Sequence, residues 1–372
     1  MTSSNRHAPV DSRALSVAIH TDVGPDRERC EQELLDAGVP LPLPHRSVWA
    51  RSMCPRGSWF VAVRRPDGRC VWGFAVELQR SRALPGHLLA RAERLTWAGG
   101  HAAFEAGLGT LAQVARSTRT MLRISLELFA PDPNLLGQMG ATAAQLGFRR
   151  RLPQRCYAET LIVDLRPSEE EMLKSFHGTA RRHIRSAGKH PVEVRPIVDP
   201  RYAGRLDELL RETLARTGGT PQRHDWDRIL DFSHSEPTLS RVVGLFRADT
   251  EDDPSSLLAF AWGCNHGDHA HYSTAASTRA SEIRLPMGYV LAWDLMTWAK
   301  RHGAQWFDFG GITRGSFGGT DPVGGISDFK RYFSTTVASV GEEWILEPHR
   351  IRSLIANAAS ALVRTRLVKK HR

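Results

Sequence analysis

No stretch of this 372-residue chain approaches the ~18 consecutive uncharged apolar residues that a bilayer-spanning helix needs, so none is expected. The first twenty residues, MTSSNRHAPVDSRALSVAIH, lack the apolar core of a secretory leader. Cysteine is scarce: five, at positions 30, 54, 70, 156 and 264, an odd number with no C-x-x-C pair. That pattern argues against a disulfide scaffold or a zinc site and fits a reducing compartment. The expectation is a cytoplasmic protein with no stable membrane insertion. Phosphate-loop motifs are missing too. Gly310 to Gly315 has Walker A glycine spacing but is followed by Ser316 rather than lysine, and GLGTLA at 107–112 follows no strand pattern. Neither GGISDF nor GSFGG is a G-x-S-x-G elbow, and no cysteine has a catalytic context, which weighs against a hydrolase triad.

What the chain has is positive charge. Fifty Lys+Arg oppose 40 Asp+Glu, a formal +10, although only a handful of the cations are lysines. Such a surface attracts polyanions: nucleic acid, phosphorylated ligands or an anionic membrane face. Richness in Ala, Arg and Gly is equally the mark of a high-GC genome. The length suits two domains, and 41% apolar with 24% charged residues is ordinary for a globular protein.

Periodicity gives the organisation. DRERCEQELLDA (26–37) reads as a helix ended by Gly38. SWFVAVRRPDGRCVWGFAVEL (58–78) reads as a hairpin turning at Pro66-Asp67-Gly68. MLRISLELF (121–129) alternates, with Leu122, Ile124, Leu126 and Leu128 on one face, as in a half-buried strand; NLLGQMGATAAQLGF then forms an amphipathic helix closed by Gly147. Residues 240–276 again read as paired strands. PMGYVLAWDLMTWAKRHGA is a helix with Pro286 in its first turn and Gly303 at its end, and QWFDFGG is a short buried strand. Hairpin, strand, helix and final strand therefore occur twice, at 58–150 and 240–340, which suggests a duplicated α/β module. Between the copies, Ser168 and Glu171 form a capping box. The segment from Pro348 to Arg372 is a basic amphipathic helix.

Candidate sites follow. In ARRHIRSAGKH, Arg182, Arg185 and Lys189 are spaced to share a helical face that could hold phosphates, with Arg181 beside them. In NHGDHAHY, alternation puts His269 and His271 on one face near His266, with no carboxylate or thiolate clustered there; turn chemistry is preferred to a metal site. Asp308, at the end of the buried strand WFDFGG, must be paired or serve chemistry. The segment from Gly310 to Gly325 carries seven glycines in sixteen positions and is read as a mobile lip that lets a substrate pass close to the backbone. After it, GGISDFKRYF sets Ile326, Phe329 and Phe333 on an inward stripe, leaving Lys330 beside a buried position where it could neutralise an oxyanion or a phosphate, with Tyr332 nearby.

YSTAAS, a proline-started helix ending at Gly303, FDFGGI and GGISDFKRYFS together resemble the closing part of the Fem family. LRPSEEEMLKSFHGTARRHIRSAGKHPVEV is similar to the segment opening that family's second domain. The resemblance runs from about 160 to 345 and is architectural only from 40 to 150. BioF2-like and CelD-like acyltransferase domains share the pattern. It implies two tandem GNAT-like acyltransferase domains of α/β (α+β) class, with mixed, mostly antiparallel sheets flanked by helices: residues 1–155, residues 156–345, and a basic tail 346–372. It also implies transfer of an aminoacyl group from aminoacyl-tRNA, without cofactor or metal, to an amine of a peptidoglycan precursor or of an amine-bearing, antibiotic-type metabolite. Residues 200–235 carry ordinary helices in place of the coiled-coil insertion of some members.

By this resemblance Lys330, in the F-K-x-x-F motif, lies at the acyl-transfer centre with Asp308. Tyr272, Phe329, Tyr332 and Arg314 contact substrate, while Arg181, Arg182, Arg185 and Lys189 contact tRNA phosphates. Two alternatives stand beside it. One is a GNAT N-acyltransferase using acyl-CoA, whose [QR]-x-x-G-x-[GA] turn RLPMGY (284–289) matches poorly, with one residue too many and Tyr289 in place of a small residue. The other is a non-catalytic RNA-binding protein using the basic helix and tail.

Overall fold

The hairpin forms as its turn chemistry dictates. Ser58–Arg64 and Cys70–Arg80 pair antiparallel, and Gly68, at φ +86°, supplies the left-handed corner. The computed structural model describes residues 15–217, 223–250, 253–279, 282–283, 285–316, 324–356 and 358–359. These divide into two compact units: residues up to Cys156 together with those from Gly341 onward, and Tyr157–Val340.

The first unit is a seven-stranded sheet in the order Ser16–His20, Ser58–Arg64, Cys70–Arg80, Leu88–Leu95, Met121–Phe129, Gly341–Leu346, Arg149–Arg150. Among its described strands only the pair Leu88–Leu95 and Met121–Phe129 is parallel, and it is joined by the crossover helix Gly100–Ser117. Neither Leu88–Leu95 nor this helix is foreseen in the sequence. Met121–Phe129 is not half-buried as its alternation predicts: Met121 and Ser125 are buried along with Leu122, Ile124, Leu126 and Leu128.

The sequence boundary at 345 cuts a strand. Gly341–Leu346 pairs with Met121–Phe129, placing Trp344 opposite Leu126, so it belongs to the first unit, as does the helical stretch 350–356 that was expected to be part of a separate tail. Cys30 and Cys70 are joined by a disulfide, their Cα atoms 5.6 Å apart. This corrects the expectation of unpaired thiols and removes cysteine usage as an argument for a reducing compartment. Among the described residues no helix is long and apolar enough to cross a membrane.

The second unit has the order Val337–Ser339, Glu159–Asp164, Trp306–Gly311, His269–Ser277, Leu257–Asn265, Ser240–Arg247, Val192–Pro196. Its one parallel pair among the described strands is His269–Ser277 with Trp306–Gly311, joined by the helix Met287–Arg301. The capping box forms, with Ser168 Oγ accepting from the Glu171 amide and Glu171 reaching back to the Ser168 amide, 2.9 Å away. Buried Leu161, Val163, Leu258, Phe307, Phe309 and the apolar side of Met287–Arg301 make the core.

The two parallel pairs differ in one respect that positions the site. In the first unit the strands pair from Leu88↔Met121 to Leu95↔Leu128, with register shifts at Leu88/Leu89 and Ala92/Leu95. In the second, pairing stops after His269↔Trp306, Ala270↔Phe307 and His271↔Asp308, and the strands part. Beyond that point the Gly310 amide and the Gly311 carbonyl are held by side chains rather than by His269–Ser277.

Candidate active site

Asp308 and Gly310 shape the point where the strands part. Gly310 adopts φ +70°, a conformation that disfavours any side chain. Its amide donates to Asp308 Oδ1 at 2.8 Å. The same fully buried carboxylate accepts from Tyr157 Oη at 2.5 Å and Thr160 Oγ1 at 2.6 Å. Asp308 is therefore tied to the sheet by three donors and does not line the adjoining cavity. It is a positioning residue for the Gly310 turn and a buried negative charge near Lys330.

Lys330 lies in the last turn of the helix Gly324–Arg331, is 7% exposed, and donates to the Gly311 carbonyl at 2.6 Å. Burial pushes its ammonium down from the ordinary lysine value to about 8, with the Asp308 charge opposing the shift. The helix presents a different face from the one expected. Gly324, Ser327 and Lys330 point inward at spacings of three, whereas Ile326 is 38% exposed and borders the cavity. Ser327 is held there by the Thr313 amide, which donates to its Oγ at 2.9 Å.

Lys330 opens into a cavity of about 360 Å³ lined by Tyr272, Phe329, Tyr289, Arg216 and Arg279 among others. Tyr272 and Phe329 stand where the sequence reading placed them, and burial raises the Tyr272 hydroxyl well above its usual range. Tyr332 does not line the cavity; it packs on His177 with ring centroids 4.9 Å apart. Tyr289 takes its place, edge-on to Phe329 at 4.9 Å and stacked on Phe333 at 5.6 Å. Phe333, the second phenylalanine of the motif, is core.

Arg216 and Arg279 were not anticipated. Arg216 ends the helix Ala203–Thr217 and reaches Thr213 Oγ1 at 3.5 Å. Burial, and then the neighbouring Arg279, lower its affinity for a proton. The lone signal available was Arg279 closing the strand that contains YSTAAS. Among the described residues the cavity lining carries three cations and no carboxylate, while Glu212, just outside it, accepts from the Arg279 amide at 2.9 Å and partly offsets the charge on Arg216.

The remaining expected contacts lie elsewhere. Arg181 donates to the carbonyls of Lys174 and Phe176, at 2.7 and 3.1 Å, and so closes the helix Glu169–Ser175. Arg182 and Arg185 are exposed on Gly178–Ser186, but that helix stops before Lys189, which sits in the 3₁₀ turn Ala187–Lys189; the three do not share one helical face. None of these four lines the cavity. Arg314 is exposed beyond the strand end, and residues 317–323, the middle of the expected lip, lie outside the described residues, as does Arg284 of RLPMGY.

The histidines form a stack. His266 and His271 are 2.7 Å apart through Nε2 and Nδ1, His269 lies on Trp306 with centroids at 4.3 Å, and the Asp268 carboxylate contacts His269 Nδ1 at 2.7 Å. The sequence reading missed that carboxylate.

Parallel strands thus part beside a buried lysine and an adjoining cationic cavity. Residues 174–331 match the family model of the acetyltransferase (GNAT) domain. The chain carries a GNAT acyltransferase domain in a Fem-like tandem fold. It is similar to the crystal structure of FemX (TM-score 0.68, 17% identity, 88% of this chain and 98% of that one). It is also similar to a tandem GNAT protein from the clavulanic acid biosynthesis pathway (TM-score 0.52, 14% identity, 90% and 98%). A third similar structure is L-PGS from Bacillus licheniformis (TM-score 0.51, 13% identity, 91% and 98%). No curated protein sequence matches this chain significantly.

Proposed function

We propose that this protein transfers an aminoacyl group from aminoacyl-tRNA to an amine, forming an amide bond on a peptidoglycan precursor or an amine-bearing metabolite. The observation that carries this reading is the cavity lined by Lys330, Arg216 and Arg279, with no carboxylate among its described lining residues, beside the point where the strands part. The amine nitrogen attacks the ester carbonyl, and the negative charge passes to the carbonyl oxygen, which the Lys330 ammonium stabilises. The tetrahedral intermediate collapses by breaking the bond to the ribose oxygen, which leaves with the proton lost by the amine. Arg216 and Arg279 hold the phosphate next to that ribose. Charged tRNA places the reaction in the cytoplasm.

A second reading uses acyl-CoA as donor and is favoured by the matched domain being an acetyltransferase domain. Incubation of the protein and a candidate amine with charged tRNA, with and without ribonuclease, against acetyl-CoA separates the two. Product from acetyl-CoA that ribonuclease does not touch would sink the tRNA reading.

Under the tRNA reading, Arg216→Ala and Arg279→Ala each raise KM for charged tRNA by roughly ten- to a hundred-fold, the worth of one charge-assisted contact, with a smaller change in kcat. Steady-state kinetics at two salt concentrations checks this: each variant should also flatten the salt dependence.

A further inference from the structure

An ordinary surface helix packs its apolar side inward and shows its polar side to water. The stretch 350–356 is built the other way round. Its polar residues hold it to the first unit: Ser353 Oγ donates to the Leu122 carbonyl at 2.8 Å, Arg352 to that of Arg119, and His349, just before it, contacts that of Thr118 at 3.2 Å. Outward it displays Ile351 at 76% exposure, Leu354 at 68% and Ile355 at 54%. Of the seven large hydrophobic residues exposed among the described residues, these three fall within five positions. Exposed Ala358 continues the spacing, as does Leu362 in the sequence.

The charge of the segment itself has one sign. From Pro348 to Arg372 there is no acidic residue, while Arg350, Arg352, Arg364, Arg366, Lys369, Lys370 and Arg372 are cationic. Beside the helix lies an open cavity of about 620 Å³ lined by Arg116, Arg149, Glu347, Arg350 and Leu354 among others. Arg149 is paired with Glu347, Arg116 donates to the Leu146 carbonyl at 2.7 Å, and Arg350 is exposed.

We propose that this helix docks the first unit on an anionic lipid bilayer, with Ile351, Leu354 and Ile355 entering the boundary between headgroups and acyl chains and the arginines meeting headgroup phosphates. Aliphatic side chains flanked by cations are the composition of an interfacial helix. An RNA partner would neutralise the arginines and leave the aliphatic face in water. The inference does not depend on the identity of the donor.

The test is flotation of the full chain with phosphatidylcholine vesicles, with and without phosphatidylglycerol. The wild type should float with the anionic vesicles and stay behind with the neutral ones. The triple variant Ile351→Ser, Leu354→Ser, Ile355→Ser should lose anionic-vesicle binding by about ten-fold or more, since burial of those side chains is the attraction that the arginines alone do not supply. Circular dichroism should be unchanged, because all three side chains are exposed. A wild type that ignores anionic vesicles, or a triple variant that floats as well as wild type, overturns the proposal. So does a triple variant whose measurable change is lost self-association in light scattering or lost tRNA binding, with flotation intact.

Discussion

Lys330→Met is expected to cut the transfer rate by roughly 10²–10³-fold, the usual effect of deleting one group that stabilises an acyl-transfer oxyanion. The protein should remain folded, because methionine fills the same buried volume between Phe329 and the Gly311 carbonyl. In the wild type, activity should fall as pH rises through about 8, where the ammonium loses its proton. The sign of the stability effect follows from the same shift. Between about 8 and the ordinary lysine value of 10.5 the unfolded chain holds a proton that the folded chain has released, so wild-type stability rises with pH across that window. Relative to Lys330→Met, the wild type should gain about 3 kcal/mol between pH 7 and pH 11, at 1.36 kcal/mol per pKa unit. Urea unfolding of both proteins at several pH values checks this. Parallel stability curves would show that the lysine is not held in a desolvated site.

Asp308→Ala should be strongly destabilising. It leaves the Tyr157 hydroxyl and the Gly310 amide without their acceptor in a fully buried place, and it removes the one charge that supports the Lys330 ammonium. Loss of about 3–5 kcal/mol is expected, the scale of an uncompensated buried charge and orphaned donors. Asp308→Asn keeps the volume and one acceptor oxygen and should fold. Because the Asp308 charge raises the Lys330 value, the asparagine variant should move the alkaline fall in activity to lower pH. A pH-rate profile that does not move would mean that the carboxylate acts on structure alone.

These two residues were legible in the sequence because local rules expose them. A carboxylate inside WFDFGG cannot be buried without partners, and a lysine among aromatics in a short helix cannot be wholly solvated. The capping box, the hairpin and the helix Met287–Arg301 were legible for the same reason: caps, turns and periodicity act within a few residues. The pairing of Gly341–Leu346 with Met121–Phe129 and the joining of Cys30 to Cys70 depend on partners dozens to hundreds of positions away, which no local pattern records. Arg216 and Arg279 were missed likewise. Each looks like an ordinary surface arginine, and the cavity brings the two together from different elements. Of the inward stripe proposed for Ile326, Phe329 and Phe333, Phe333 is core and Phe329 packs against it, but Ile326 is exposed, because spacing identifies a face but not how much of it is covered.

The strand Gly341–Leu346 has a consequence for how this protein is made. It sits between Met121–Phe129 and Arg149–Arg150, yet it leaves the ribosome after all of Tyr157–Val340. During synthesis the first unit therefore waits with an open sheet edge, while the second, continuous in sequence, has all its strands and can close ahead of it. The part translated first is the part finished last. A chain stopped after Val340 would keep every residue of the cavity beside Lys330 and still lack the strand that completes its N-terminal sheet.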